Sequence, residues 1–142
     1  MSNALTSPLP DRGSCLCGQT AIEVRETCSP HIVCHCSDCH ALSALLISYV
    51  ACPISAVTIT FPCLRYYDTV AASGNILHRQ FCGGCGANIA HTSDRLGEKI
   101  VVDTARLPRF KEVPIDMEFF VKDKWQGLKP IEGAKQFEMM HE

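Results

Sequence analysis

The sequence lacks the charge excess and the long apolar runs that mark several large classes of protein. Its 142 residues include 13 lysines and arginines against 15 aspartates and glutamates, which gives a formal charge of −2. A chain without a basic excess has no electrostatic footprint for nucleic acid. No stretch approaches the roughly 18 uninterrupted apolar residues of a membrane-spanning helix. The composition therefore argues against nucleic acid and membrane partners.

The first residues also lack the features of a secretory leader. The stretch MSNALTSPLPDRG has no basic segment followed by an apolar run, and those two features define a signal peptide. We therefore expect a cytoplasmic protein in a reducing environment. Residues 1–12 are polar and contain prolines, and they are predicted to form a flexible N-terminal arm. Residues 13–142 have the length of a single domain.

Long helical periodicity, internal repeats and low-complexity segments are missing as well. The chain instead contains short segments rich in β-branched and aromatic residues, separated by turn-forming residues. This pattern predicts a mainly β domain with antiparallel strands. One helical turn is expected at residues 37–43, with Ser37 as its N-cap. The predicted strands lie within residues 19–26, 31–35, 45–51, 57–61, 64–68, 76–81, 87–92, 99–105 and 117–125.

Cysteine is present in excess, with ten residues in the chain. In a reducing compartment, clustered cysteines bind metal more often than they form disulfides. Three cysteines are isolated in the sequence and are predicted to be small buried hydrophobic residues: Cys28, Cys52 and Cys63. The other seven fall into three tight groups: Cys15 and Cys17; Cys34, Cys36 and Cys39; and Cys82 and Cys85.

The seven clustered thiols divide most naturally into four and three. The first and third groups together would form a closed Cys₄ site, which is the usual arrangement of structural zinc. This site would also close a long loop and so stabilise the domain. The middle group supplies only three thiolates. Catalytic zinc is commonly held by three protein ligands with an exchangeable fourth position, so this group is predicted to be catalytic.

Two other interpretations of the middle group stay open at this point. A further protein ligand could complete it as a closed Cys₃His or Cys₄ site, or the three thiols could form a redox cluster without metal. His35 and His40 adjoin ligand cysteines and are poorly placed to bind the same ion. His78 and His91 lie on predicted strands and could reach it from elsewhere in the chain.

The charge of a three-thiolate site indicates which chemistry it suits. Three thiolates on Zn²⁺ leave a net charge of −1, so the ion is a weaker Lewis acid than one held by neutral imidazoles. Lowering the pKa of bound water to about 7 is the behaviour of histidine-rich zinc. A thiolate-rich site is better suited to binding a fourth thiol and presenting it as a nucleophile.

The chain contains the motifs GSCLCG, CHCSDC, FCGGCG with Arg79 shortly before it, and KDKWQGLKPIEG near the end. Together these motifs resemble one known family, the CENP-V/GFA domain of the glutathione-dependent formaldehyde-activating enzymes. The resemblance covers roughly residues 12–137 and implies an Mss4-like β fold stapled by zinc. It also implies two zinc ions: a structural one held by Cys15, Cys17, Cys82 and Cys85, and a catalytic one held by Cys34, Cys36 and Cys39.

The family resemblance further implies carbon–sulfur chemistry, in which the glutathione thiol adds to formaldehyde. This chain departs from the family pattern around the second site. His40 stands where arginine is common, Ser43-Ala44 replaces a Ser-Gly pair, and MEFF lacks a frequent histidine. We therefore expect an electrophile other than formaldehyde. His40 is a candidate for proton transfer, and Arg79 and Trp125 are candidates for contact with substrate.

The leading hypothesis is a zinc-dependent carbon–sulfur lyase or synthase. It would act on the adduct of a glutathione-type thiol with a carbonyl or another electrophile. One alternative is a zinc-dependent tailoring enzyme that acts on a small organic metabolite without glutathione. The other is a non-catalytic binding module stapled by zinc. The sequence makes no prediction of the oligomeric state.

Overall fold

The computed structural model describes residues 9–71 and 73–140, which form two β-sheets and one α-helix. The helix, α1, spans Ser37–Ser43. Short 3₁₀ helices occupy Ile54–Ala56, Asp94–Leu96, Thr104–Arg106, Pro108–Glu112 and Val121–Asp123. The strands of the described residues are β1 (Asp11–Ser14), β2 (Ala21–Val24), β3 (Ile32–Cys34), β4 (Ile47–Pro53), β5 (Val57–Thr60), β6 (Leu64–Val70), β7 (Ile76–Cys82), β8 (Asn88–Thr92), β9 (Lys99–Asp103), β10 (Met117–Phe119) and β11 (Lys135–Gln136).

The strands are divided between a small sheet and a large one. The small sheet has the order β1-β2-β5, and the large sheet has the order β11-β10-β3-β4-β9-β8-β7-β6. Neighbouring strands are antiparallel, except that β10 runs parallel to both β3 and β11. β9 and β10 run in the same direction with β4 and β3 between them, so residues 104–116 cross the sheet to connect the two strands. The predicted antiparallel arrangement is therefore correct for most of the sheet and wrong at β10.

The mainly β architecture confirms the prediction from sequence. Each predicted strand segment overlaps an observed strand, and α1 occupies the predicted residues. Two strands were missed. β1 begins at Asp11, inside the predicted arm, and β11 lies in the segment after the last predicted strand. Both form through backbone pairing without an apolar side-chain pattern. Residues 1–8 of the predicted arm lie outside the described residues.

The main hydrophobic core lies between the two sheets. Side chains of β2 alternate as predicted, so Ile22 and Val24 are buried while Ala21 is exposed. They pack against the face of the large sheet that carries Val50 and Val102. This core fixes the small sheet, and the loop after β1, over one face of the large sheet.

A second, smaller core lies on the opposite face of the large sheet. Phe119 of β10 and Ile47 of β4 flank Cys34 of β3 there, and Phe137 packs over them. Cys39 of α1 belongs to the same core. The cysteines of the middle group therefore lie in a second apolar layer, away from the first and third groups. Within the described residues, no helix is long and apolar enough to span a membrane.

Candidate metal centres

The first and third cysteine groups meet in space, as the sequence predicted. Cys15 and Cys17 follow β1, Cys82 ends β7 and Cys85 lies in the turn after it. The Cys17 sulfur lies 3.5 Å from that of Cys15 and 3.7 Å from that of Cys82. All four sulfurs lie within 4.8 Å of one another. We call these four residues the first cluster.

The geometry of the first cluster fits a tetrahedral zinc ion. With a Zn–S bond of about 2.3 Å, the sulfurs of a tetrahedral site lie about 3.8 Å apart. Backbone N–H groups also point at the sulfurs, from Thr20 to Cys15 and from Gly84 to Cys82, each at 3.3 Å. Gly86 closes the turn with a φ of +78°, which a residue with a side chain rarely adopts.

The middle cysteine group, which we call the triad, is assembled by one strand end and one helix. Cys34 ends β3, and Cys39 lies in the first turn of α1. Cys36 is the N-cap of α1, because its sulfur accepts the backbone N–H of Cys39 at 3.4 Å. The prediction of Ser37 as the cap is therefore wrong. The cap turns the chain back on itself and places all three sulfurs within 4.8 Å of one another.

The triad stabilises negative charge on its central sulfur. Cys36 accepts hydrogen bonds from the thiols of Cys34 and Cys39, which lower the pKa of Cys36 to about 2. The contact with Cys36 raises the pKa of Cys34 to about 12, and the contacts with Cys34 and Cys36 raise the pKa of Cys39. One thiolate thus shares two protons with its neighbours. This donor set suits a soft divalent cation, which would replace those protons.

The two histidines next to triad residues do not join its three sulfurs as ligands. His35 projects to the opposite face of the large sheet, where its Nε2 lies 2.7 Å from a carboxylate oxygen of Glu118. His40 packs its ring against Trp125, with the ring centroids 6.1 Å apart and the planes at 68°. The structure therefore brings together His40 and Trp125, two of the residues predicted to act at the site.

The two histidines on predicted strands do not complete the triad either. His78 bonds to Asp68 on the neighbouring strand through its Nδ1, at 2.8 Å. His91 lies on β8 and is not within ligand distance of the three sulfurs. Among residues 9–71 and 73–140, no histidine or carboxylate ligand atom joins the triad within 4.8 Å. A closed Cys₃His site therefore finds no support in the described part of the chain.

The register of the large sheet places further polar residues on the face that carries Cys34, which we call the triad face. Tyr49 lies two residues after the partner of Cys34 and therefore points to the same face. Asp103 of β9 pairs with Tyr49 of β4. His91 pairs with Val101, two residues before Asp103, and Arg79 pairs with His91. These side chains form a polar row that runs away from the triad.

Burial shifts the pKa values of this polar row. Burial, with a contribution from the triad sulfurs, raises the pKa of Tyr49. Burial and the Arg79 cation lower the pKa of His91 to about 4. Burial raises the pKa of Asp103 to about 7, against the opposing effect of the Arg106 and Arg79 cations. At neutral pH the triad face thus presents a neutral tyrosine, a neutral imidazole and the Arg79 cation, beside the Asp103 carboxyl group, whose pKa lies near neutrality.

Arg79 is the buried cation of the triad face, with 8% of its surface exposed. Its Nε donates a hydrogen bond to the Thr69 hydroxyl at 2.9 Å. One terminal nitrogen lies 3.9 Å from a carboxylate oxygen of Asp38 in α1. Within the described residues this is its nearest carboxylate contact. The terminal nitrogens of Arg79 therefore keep donors for a further partner.

Sequence reasoning missed two features of the metal centres. Tyr49 and Asp103 carried no motif, and only the strand register brings them to the triad face. Cys63 was predicted to be an isolated buried residue, which is wrong, because its sulfur lies 4.0 Å from that of Cys82 in the first cluster. Cys52 is fully buried, as predicted. Spacing in the sequence gave no signal for Cys63, since the β6–β7 hairpin creates the contact.

Comparisons with known proteins identify the family of this chain. The family model of the glutathione-dependent formaldehyde-activating enzymes matches residues 11–123. No curated protein sequence matches this chain. The fold is similar to the crystal structure of a Rhodobacter sphaeroides protein, with a TM-score of 0.54 and 20% identity. That match covers 89% of this chain and 98% of the other, and at this identity it shows the fold alone. With both cysteine clusters inside the matched region, the chain belongs to the family of glutathione-dependent formaldehyde-activating enzymes.

Proposed function

We propose that the protein is a zinc-dependent carbon–sulfur lyase or synthase. Its substrate would be the adduct of a glutathione-type thiol with a carbonyl or another electrophile. The observation that carries this proposal is the triad, whose three sulfurs lie within 4.8 Å of one another without a fourth protein ligand among the described residues. Family membership over residues 11–123 supports the same chemistry.

The first cluster and the triad would hold the two zinc ions. The first cluster offers a complete tetrahedral set, which suits a structural ion. At the triad, bound zinc would supply an open position that accepts the substrate thiol and keeps it deprotonated at neutral pH. Cys34, Cys36 and Cys39 provide the ligands, and the N-cap geometry of α1 fixes their spacing.

Arg79 is well suited to orient the substrate on the triad face. Its guanidinium group is buried and keeps free donors within the described residues. A buried guanidinium binds a carboxylate or a polarised carbonyl oxygen through charge-assisted hydrogen bonds. A glutathione-type thiol carries carboxylates. Arg79 would therefore bind a carboxylate at one end of the substrate, while the sulfur of the substrate lies at the triad.

Two histidines could carry the proton that moves when the carbon–sulfur bond forms or breaks. The sequence pointed to His40, which follows Cys39 directly. His91 is better placed, because it lies on the triad face beside Arg79. Its pKa of about 4 keeps the ring neutral at pH 7, so its free nitrogen is an available but weak base. His40 and Trp125, which pack together, would then contact the electrophilic part of the substrate.

The proposal is tested with ¹³C-labelled aldehydes of increasing size, mixed with the zinc-loaded protein and glutathione. Adduct formation and breakdown are followed by NMR exchange spectroscopy. We expect faster exchange with at least one aldehyde, and loss of that acceleration in Cys36→Ser. Turnover of a metabolite without added thiol would favour the tailoring enzyme instead. Equal exchange rates with and without the protein, across thiols and aldehydes, would favour a non-catalytic module.

A further inference from the structure

The first cluster contains a fifth cysteine that a tetrahedral zinc site does not need. The Cys63 sulfur lies 4.0 Å from that of Cys82, a separation close to the 3.7 Å between Cys17 and Cys82. Cys63 is half-buried, whereas Cys82 has no exposed surface. The extra thiol therefore lies between solvent and a buried ligand sulfur.

The backbone, rather than a chance side-chain rotamer, fixes this contact. Leu64 pairs with Cys82 in the β6–β7 hairpin, and the carbonyl oxygen of Cys63 accepts the Gly83 N–H at 2.8 Å. A Cβ atom added to Gly83 would lie only 2.5 Å from that oxygen. The Cys63 backbone is thus packed directly against the turn that carries Cys82 and Cys85.

The Cys63 side chain is free to react in a way that the ligand sulfurs are not. Its S–H donates a hydrogen bond to the Gln19 side-chain oxygen at 2.9 Å, so it carries a proton. Cys63 is half-buried and lines an open surface pocket together with Pro62, Leu64, Arg65 and Tyr66. A small oxidant can therefore reach it. Bound zinc would hold the four ligand sulfurs about 3.8 Å apart, whereas it would place no such restraint on the Cys63 sulfur, 4.0 Å from that of Cys82.

We propose that Cys63 is a peroxide-dependent redox partner of Cys82, and that their disulfide releases zinc from the first cluster. Hydrogen peroxide oxidises one of the two sulfurs to a sulfenic acid, and one water leaves. The other sulfur then displaces the hydroxyl group, which leaves as the second water. The two sulfurs lose two electrons to the peroxide. The Cys63 thiol supplies one of the two protons that the waters require, and solvent supplies the other, because Cys82 would be a deprotonated zinc ligand. The remaining three thiolates hold the metal more weakly than four.

The test compares the zinc-loaded protein with Cys63→Ser and with the control Cys28→Ser, which removes another half-buried cysteine outside both clusters. Each protein receives a pulse of hydrogen peroxide in the presence of a chromogenic zinc chelator. Free thiols are then alkylated, and disulfides are assigned by mass spectrometry of the peptides. The triad is unchanged in all three proteins, so its own loss of zinc cancels in the comparison.

We expect a disulfide between Cys63 and Cys82 in the wild type, and zinc release that is several-fold slower in Cys63→Ser than in Cys28→Ser. A disulfide confined to the four ligand cysteines would overturn the proposal. Equal zinc release in the two variants would overturn it as well. If Cys63→Ser fails to bind zinc as purified, the proposal is judged by whether the oxidised wild type contains the disulfide between Cys63 and Cys82. The outcome does not depend on the proposed catalytic function.

Discussion

His35 and Glu118 form a fully buried pair, with the imidazole Nε2 2.7 Å from the carboxylate, although His35 lies between two triad cysteines. The other carboxylate oxygen accepts the backbone N–H of Ile131 at 2.8 Å and the side-chain amide of Gln136. Glu118 therefore ties the strand that ends at Cys34 to the C-terminal segment. Its carboxylate lies on the opposite face of the sheet from the triad, so Glu118 can position Cys34 only through the backbone of β3.

Glu118→Gln should destabilise the fold by about 2–3 kcal/mol, because both carboxylate oxygens serve as buried acceptors and an amide nitrogen cannot replace one of them. Denaturant unfolding of the zinc-loaded proteins measures this difference. Glu132→Gln, at an exposed position, is the control and should change the stability little. A loss below 0.5 kcal/mol, on the order of a surface substitution, would contradict this role.

The same pair predicts a dependence of stability on pH. Burial opposes ionisation of Glu118, but hydrogen bonds from Ile131, His35 and Gln136 prevail and lower its pKa below the ordinary 4.5. A carboxyl group whose pKa falls on folding stabilises the protein above its unfolded pKa, and this contribution is lost as pH falls through the folded value. The stability difference between wild type and Glu118→Gln should therefore be constant near neutral pH and shrink below pH 4.5. A difference that grows in acid would contradict this assignment.

Ala44→Gly should stabilise the protein by about 1 kcal/mol, because Ala44 ends α1 in the left-handed region, where a Cβ is unfavourable. Its φ is +78°, and its N–H donates to the His40 carbonyl oxygen at 2.8 Å. Ala41→Gly inside the same helix is the matched control, and it should destabilise by about 0.5–1 kcal/mol. Chemical denaturation of both variants gives the comparison. Two changes of the same sign would contradict the explanation.

Removal of single ligands should separate the two centres. Cys36→Ser should leave one zinc ion per chain and a cooperative unfolding transition, because the first cluster is intact. Cys17→Ser should lower the melting temperature more strongly, since the first cluster joins the loop after β1 to the end of β7. Metal analysis by mass spectrometry and calorimetry measure both effects. Loss of both ions in Cys36→Ser would show that the centres are not independent.

Arg79→Lys should raise the KM for the thiol substrate about tenfold and change kcat less, because a point charge loses the planar donors that bind a carboxylate. Arg12→Lys is the control, since Arg12 is exposed and distant in sequence from the triad. Steady-state kinetics over a range of thiol concentrations separates the two parameters. An unchanged KM would show that Arg79 does not bind the thiol substrate.

His91→Gln should lower kcat by about a hundredfold if His91 accepts the proton, which is the usual size of general base catalysis. With a pKa of about 4, His91 is neutral throughout the range from pH 5 to pH 8, so its titration should not affect the rate there. His40→Gln is the paired variant, and a smaller loss is expected from it. A larger decrease in kcat in His40→Gln than in His91→Gln would indicate that His40, the candidate from the sequence, transfers the proton.

Local patterns in the sequence determined much of this protein. The alternation around Ile22 and Val24 predicted β2 and its buried face, because side chains in a strand alternate regardless of their partners. The spacing of the cysteines predicted both clusters, because cysteines one to three residues apart can bind the same metal ion from a single turn. The helical turn at 37–43 was predicted from local capping chemistry, although the cap proved to be Cys36.

Only the tertiary structure decided which residues surround the two centres. Tyr49, His91, Asp103 and Arg79 share a face because four strands pair in one register, and register depends on contacts between distant segments. The parallel pairing of β10, the burial of Glu118 beside His35 and the contact of Cys63 with Cys82 arise in the same way. Ligand spacing is a local property that the sequence carries, whereas the surroundings of the ligands depend on how the sheets pair and pack.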